Sequence, residues 1–169
     1  GESTRPESTP VALEEELARV IPVVRAARER LGPKIIISVD TYKSRVAAEA
    51  LDAGADIINS IGGFVFDPEM AAVAARFRCP FAMYHVRGTP ATMQEGEIIY
   101  GDVITDITDF FEAQIAEGVK QGIQRDQFII DPGIGFGKTL HHNLEIIRRL
   151  GEFKKLGLPI LIGASRKSH

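Results

Sequence analysis

The chain carries a single cysteine, Cys79, so no disulfide can form within it, and its apolar neighbours suit a buried, inert thiol. That usage fits a reducing cytoplasm. No apolar run approaches the roughly 20 residues of a membrane span, and the polar opening residues do not read as a secretory signal, so a soluble protein without a membrane partner is expected. Charge of one sign is also lacking. A formal net charge of −3 leaves no basic surplus to offset a nucleic-acid backbone, which argues against a nonspecific nucleic-acid binder. There is no Cys/His cluster with metal-ligand spacing and no G-x-S-x-G nucleophile elbow. What is present, 44% hydrophobic and 25% charged residues over 169 positions, is ample material for one mixed domain with a buried core.

The stretch "IIDPGIGFGKTLHHN" at 129–143 invites a nucleotide reading that its spacing refuses. A phosphate-binding G-x-x-x-x-G-K-[ST] loop ending at Gly137-Lys138-Thr139 needs its first glycine at position 132, which is Pro132. A dinucleotide G-x-G-x-x-G begun at Gly133 and Gly135 needs its third glycine at position 138, which is Lys138. What remains is a strand that ends in Asp131, followed by a glycine-rich turn able to bring backbone close to a flat or anionic ligand. Lys138 then has no assigned role.

Short β-branched runs alternate with longer segments of helical period, the pattern of a parallel sheet covered by helices. Strands are expected at "KIIISV" (34–39), "ADIIN" (55–59), "PFAMYH" (80–85), "QFIID" (127–131) and "PILIGA" (159–164). Helices are expected over about 11–31, 43–53, 68–77, 102–121 and 141–151, the first closed by Gly32-Pro33 and the third opened by Pro68. This order allows an open doubly wound sheet or part of an eightfold barrel. The ends favour the barrel, because "GESTRPE" reads as a loop that should follow a strand and "GASRKSH" follows one without a covering helix. The expectation is therefore a (β/α)8 TIM barrel truncated at both ends, with about strands 3–7 present and residues 1–169 forming one incomplete domain.

The ends of the apolar runs carry the functional signal: Asp40 after "IIISV", Asn59 after "ADII", Asp131 after "FII", and Lys167 beyond "PILIGASR". In a parallel barrel the C-terminal strand ends meet at one rim, so these groups would converge on one pocket. Carboxylates and an amide can read the donor and acceptor edge of a planar heterocycle, and a lysine can offset leaving negative charge. Singly, each has a bland reading: Asp40 as a helix N-cap, Asn59 and Asp131 as turn formers. Four at successive strand ends make coincidence the weaker account. Elsewhere, Arg87 in "YHVRGTP" can face ligand or solvent, His141 and His142 read as structural or surface residues, and Glu14-Glu15-Glu16 as the solvated first turn of a helix.

Taken together, "GESTRP", "SVDTYK", "ADIIN", "RGTPATMQ", "IIDPGIGFGKT…HN" and "GASRKS" occur in the order found in the dihydropteroate synthases, the pterin-binding TIM-barrel enzymes of folate biosynthesis, which the chain resembles along essentially its whole length. The resemblance implies a transferase that joins 6-hydroxymethyl-7,8-dihydropterin diphosphate to p-aminobenzoate and releases diphosphate, with Mg²⁺ alongside, sulfonamides as competitors of p-aminobenzoate, and a homodimeric assembly. It places Asp40 and Lys167 at the chemistry and on the pterin, together with Asn59, Ile61, Asp131 and Gly163. Thr4, Arg5 and Pro6 would belong to a closing loop, Phe136 would wall the p-aminobenzoate side, and Ser168 would approach its carboxylate. No metal ligand is expected in this chain, since the family's Mg²⁺-binding asparagine belongs to a first strand that is not in it.

The chain departs from the pattern at Ser60, where aspartate is frequent, and at Tyr84 and Val86, where methionines are usual. The last-strand Arg-x-His motif is also outside it, and as given the chain is expected neither to close a barrel nor to hold diphosphate properly. Two other classes stay open: a methyltetrahydrofolate-binding domain of a corrinoid methyltransferase, and an inactive fragment or non-catalytic pterin binder.

Overall fold

The computed structural model describes residues 2–4 and 9–164. In chain order they form α1 (Leu13–Leu31), β1 (Ser38–Asp40), α2 (Ser44–Asp52), β2 (Ile57–Ile61), α3 (Glu69–Phe77), β3 (Phe81–Tyr84), α4 (Val103–Lys120), β4 (Phe128–Asp131) and α5 (Leu140–Arg148), with 3₁₀ segments at Arg125–Gln127 and Leu150–Leu156. The four strands pair in parallel in the order β1-β2-β3-β4. Each strand is joined to the next through a helix, as the alternation of periods requires.

Two faces follow from the register. Val39 pairs with Ile58, Ile58 with Phe81 and Phe81 with Phe128, so these side chains share one face, because directly opposed residues point the same way. That face is the core. Ile58, Phe81, Met83, Phe128 and Ile130 pack with Met70 and Ala74 of α3 and with Ile104, Ile107, Phe111 and Ile115 of α4, while Val39 packs with Leu17, Val20 and Val24 of α1 and Val46 and Ala50 of α2. Small residues on α2 and α3, Ala47, Ala50, Ala71 and Ala74, are essentially inaccessible and let the helices approach the sheet closely. The other face carries Asp40, Asn59, Ile61, Tyr84 and Asp131.

The structure differs from the expected elements at the sheet's edges. Residues 34–37 are not strand; Ile35 and Ile36 are exposed, since among the described residues β1 pairs only with β2 and no strand completes its outer side. The expected fifth strand is represented by one parallel bridge, Ile130 to Ile160, in which Ile130 N–H donates to Pro159 O at 3.0 Å and Leu161 N–H to Ile130 O at 2.8 Å. The 3₁₀ segment Leu150–Leu156 had no expected counterpart beyond residue 151. It buries Phe153 and Leu156, with the Phe153 ring edge-on to Phe111 at 6.3 Å.

The reading of Glu14-Glu15-Glu16 as one solvated turn is corrected at its last member. Glu14 and Glu15 are exposed, but Glu16 is 1% exposed. Helical spacing places it on the same side as Leu17 and Val20, under the segment that follows β1. Its carboxylate accepts from Lys43 Nζ at 2.6 Å, Thr41 Oγ1 at 3.2 Å and the Glu2 amide at 3.3 Å. Lys43 also pairs with Glu2 and donates to Val11 O at 2.9 Å, while Tyr42 donates its hydroxyl to Glu2 at 2.7 Å. One half-buried ammonium thus ties the N-terminal segment to α1 and to the start of α2.

Two stability predictions follow from this packing. Phe153→Ala is expected to cost about 3–5 kcal/mol by removing a fully buried aromatic ring, measured as a lower chemical-denaturation midpoint at unchanged slope. Lys43→Met is expected to cost about 3–5 kcal/mol because it strands the Glu16 carboxylate without its counter-ion; adding Glu16→Gln should return part of that loss in the same titration.

Candidate functional site

β1, β2, β3 and β4 end at one rim, and the register decides what stands there. Asp40 is the Cα partner of Asn59, Ile61 of Tyr84, and Tyr84 of Asp131. Since Asn59 and Ile61 are two residues apart on β2, all five side chains lie on the face opposite the helices.

Asp40 is held from two strands. Asn59 Nδ2 donates to Asp40 Oδ2 at 3.3 Å and the Tyr84 hydroxyl donates to Oδ1 at 3.2 Å. Crowding by protein pushes the Asp40 carboxyl above its ordinary range, and the donors Tyr84 and Asn59 pull the other way. Turning the Asn59 amide over would set its oxygen against the Asp40 carboxylate, so its orientation is dictated. Consequently Asn59 Oδ1 is buried with no hydrogen-bond partner among the described residues, an acceptor that a ligand N–H donor would satisfy.

Asp131 is half-buried and accepts the Gly133 amide on Oδ1 at 2.8 Å. This contact folds the start of the 132–137 loop back over the strand end. The loop's glycines are there for close approach rather than for phosphate. Gly133 has φ 70°, and a Cβ on it would run into the His85 carbonyl oxygen; a Cβ on Gly137 would press on Arg87. The loop after β4 therefore lies directly on the backbone that leaves β3.

Lys138, to which the sequence assigned no role, is 1% exposed. Its Nζ lies 2.9 Å from His85 Nδ1 and donates to the carbonyls of Phe136 at 3.0 Å and His85 at 3.3 Å. Burial first, and the Lys138 charge second, drive the His85 pKa well below the ordinary range, so the imidazole is neutral and accepts through Nδ1. A buried cation beneath the loop thus fixes its backbone and with it Phe136, whose ring sits 4.9 Å from that of Tyr84. The cue in the sequence was "FGKT" itself: a lysine after glycine in a motif that fails as a phosphate loop has backbone carbonyls close at hand. Asn143 of α5 adds a second tie, accepting the Gly135 amide at 2.9 Å.

The remaining candidates divide in two groups. Ile61 is fully buried with Tyr84, Val86 and Met93, and Phe136 packs against that cluster. Thr4 hydrogen-bonds the Tyr84 hydroxyl through its side chain, so the N-terminal segment reaches the rim. Gly163 is exposed beyond the Ile130–Ile160 bridge, with open space where a Cβ would stand. Arg5, Pro6, Lys167 and Ser168 lie outside the described residues. Among the described residues no group of three or more His, Cys, Asp or Glu side chains converges as a metal site, and no helix is long and apolar enough to cross a membrane. Tyr84, noted in the sequence only as a departure, is the residue whose importance was missed. Of the weaker candidates, His85 and Cys79 are buried, and burial raises the Cys79 thiol pKa.

Comparison with known proteins agrees with this architecture. Over 168 residues the chain is 48% identical to the dihydropteroate synthase of Synechocystis sp., covering 99% of this chain and 57% of that protein. The crystal structure of Yersinia pestis dihydropteroate synthase in a sulfonamide drug complex superposes with a TM-score of 0.94 at 41% identity, over 99% of this chain and 59% of that one. The Anaplasma phagocytophilum enzyme with bound 6-hydroxymethylpterin-monophosphate gives 0.91 at 33% identity, over 99% and 66%. The parallel sheet is thus that of a TIM-barrel enzyme, and the chain spans a little under three fifths of the Synechocystis relative. The model of the pterin binding enzymes matches residues 1–169, and with that match over its whole length the chain belongs to the pterin binding enzyme family.

Proposed function

We propose that the protein carrying this chain is a dihydropteroate synthase, condensing 6-hydroxymethyl-7,8-dihydropterin diphosphate with p-aminobenzoate to give 7,8-dihydropteroate and diphosphate, and that residues 1–169 are part of one pterin-binding barrel domain. The observation that carries the reading is the rim itself, two carboxylates and an amide on one face, with the Asn59 oxygen buried and without a partner among the described residues. A pterin edge offers amino and ring N–H donors to such a set. The pterin bound to the Anaplasma enzyme and the sulfonamide bound to the Yersinia enzyme support it.

In this reading Asn59 and Asp131 pair with the pterin's amino and ring nitrogens, Asp40 faces the methylene carbon on which positive charge develops, and Ile61 packs beside the ring. Phe136 and Thr4 wall the p-aminobenzoate side, joined there by Arg5, Pro6 and Ser168, while Gly163 and Lys167 complete the pterin contacts. Carbon–oxygen cleavage releases diphosphate, which is already a good leaving group, and electron donation from the reduced ring stabilises the cation left behind. The neutral arylamine nitrogen attacks that carbon and then loses a proton. The chain's residues contribute a fixed negative field, exclusion of water and orientation. Mg²⁺ would accompany the diphosphate, although no group of three or more His, Cys, Asp or Glu among the described residues converges to hold it. Cytoplasmic location and a homodimer complete the proposal.

The test is direct. The full protein carrying this chain should release diphosphate only when both substrates are present, with sulfonamide competing against p-aminobenzoate; no release from the folded protein would sink the assignment. In calorimetry the 169-residue chain should bind 6-hydroxymethylpterin saturably, and Asp131→Ala should weaken that binding at least about tenfold, the loss of a charged hydrogen-bond partner. Gly133→Ala should weaken it as well, since the loop can no longer lie on His85, with circular dichroism retaining the helical signal.

A further inference from the structure

Tyr84 stands where the acid side of the rim meets its aromatic side. It is 4% exposed, yet it lies on the rim face, not the helix-facing core, since its Cα partners are Ile61 and Asp131. Its hydroxyl donates to Asp40 Oδ1 at 3.2 Å and is hydrogen-bonded by Thr4, while its ring rests 4.9 Å from Phe136. With Asn59 Nδ2 on Oδ2, each Asp40 oxygen has one donor from a different strand. The carboxylate is thereby fixed in rotation, and its remaining lone pairs are left for a ligand.

We infer that Tyr84 is a positioning residue for pterin recognition: its hydroxyl orients the Asp40 carboxylate, while its ring sets Phe136 at the adjoining wall. The inference rests on the proposed pterin-binding role of the rim. The N-terminal ammonium favours ionised Asp40, and among the described residues two titratable groups bear on it. Tyr84 faces it from β3, and Glu16 of α1 acts on it at longer range, with Lys43 paired to that carboxylate; Asp131 on β4 acts on Tyr84. Asn59, from β2, contributes a neutral donor. Removing the phenol hydroxyl withdraws a donor that favours ionised Asp40, so the Asp40 pKa rises further.

The experiment is the pH dependence of 6-hydroxymethylpterin affinity in the 169-residue chain, from about pH 4 to 8, where a carboxyl with a raised pKa titrates. Tyr84→Phe keeps the ring and the fold, checked by circular dichroism. It should move the acid limb of binding upward by about half to one pH unit, the size of one hydrogen bond's contribution. Asp40→Asn should remove the limb. A Tyr84→Phe limb that superimposes on the unsubstituted chain's, or a limb that survives Asp40→Asn, overturns this inference while leaving pterin binding intact. Absence of saturable binding in the unsubstituted chain overturns the pterin reading itself and this inference with it.

Discussion

The parallel register of four short strands is the constraint on which the rest of the structure depends. A slip of one residue in any pair would turn that strand's side chains over. Asp40, Asn59 or Asp131 would then enter the core between sheet and helices, and Phe81 or Phe128 would leave it. Burial of Ile58, Phe81, Met83, Phe128 and Ile130 against α3 and α4 therefore fixes the polar rim as surely as any hydrogen bond within it. β3 shows this most sharply: all four of its residues are buried, two against helices and two beneath the rim.

Buried charge is the second theme. Lys138 and Glu16, each 1% exposed, are taken from water only because their partners are complete. Lys138 has the neutral His85 imidazole and two carbonyls; Glu16 has Lys43, Thr41 and a backbone amide. Neither serves the rim directly. Lys138 holds the loop that carries Phe136, and the Lys43 network holds the segment that brings Thr4 to Tyr84. Ionic groups beneath two loops thus hold backbone in place through hydrogen bonds that water cannot screen.

Much of the fold was legible. The alternation of strand and helix periods, the stop at Gly32 and the run of helix-facing apolar residues located all five helices within about three residues and three strands close to their observed bounds. The failures came at edges. Residues 34–37 have strand composition but no neighbour on their outer side, and 159–164 pair through a single bridge. Strand propensity becomes a strand only where another backbone supplies the hydrogen bonds. The 3₁₀ segment at Leu150–Leu156 escaped because its period is neither that of a helix nor that of a strand.

At the candidate site the sequence by itself determined two strand ends, Asp40 and Asp131, and singled out Asn59 after its apolar run, although β2 continues two residues past it to Ile61. It also determined that the glycine-rich turn is no nucleotide loop, since that is a matter of spacing. Only the tertiary structure decided that Tyr84 reaches Asp40, that Glu16 is buried while its neighbours are not, and that Lys138 lies beneath the loop against His85. Those pairs are separated by 44 and 53 positions for Tyr84 and Lys138, and no local periodicity encodes which of many polar side chains will meet across such distances. Register, loop path and the desolvation of each charge settle it together.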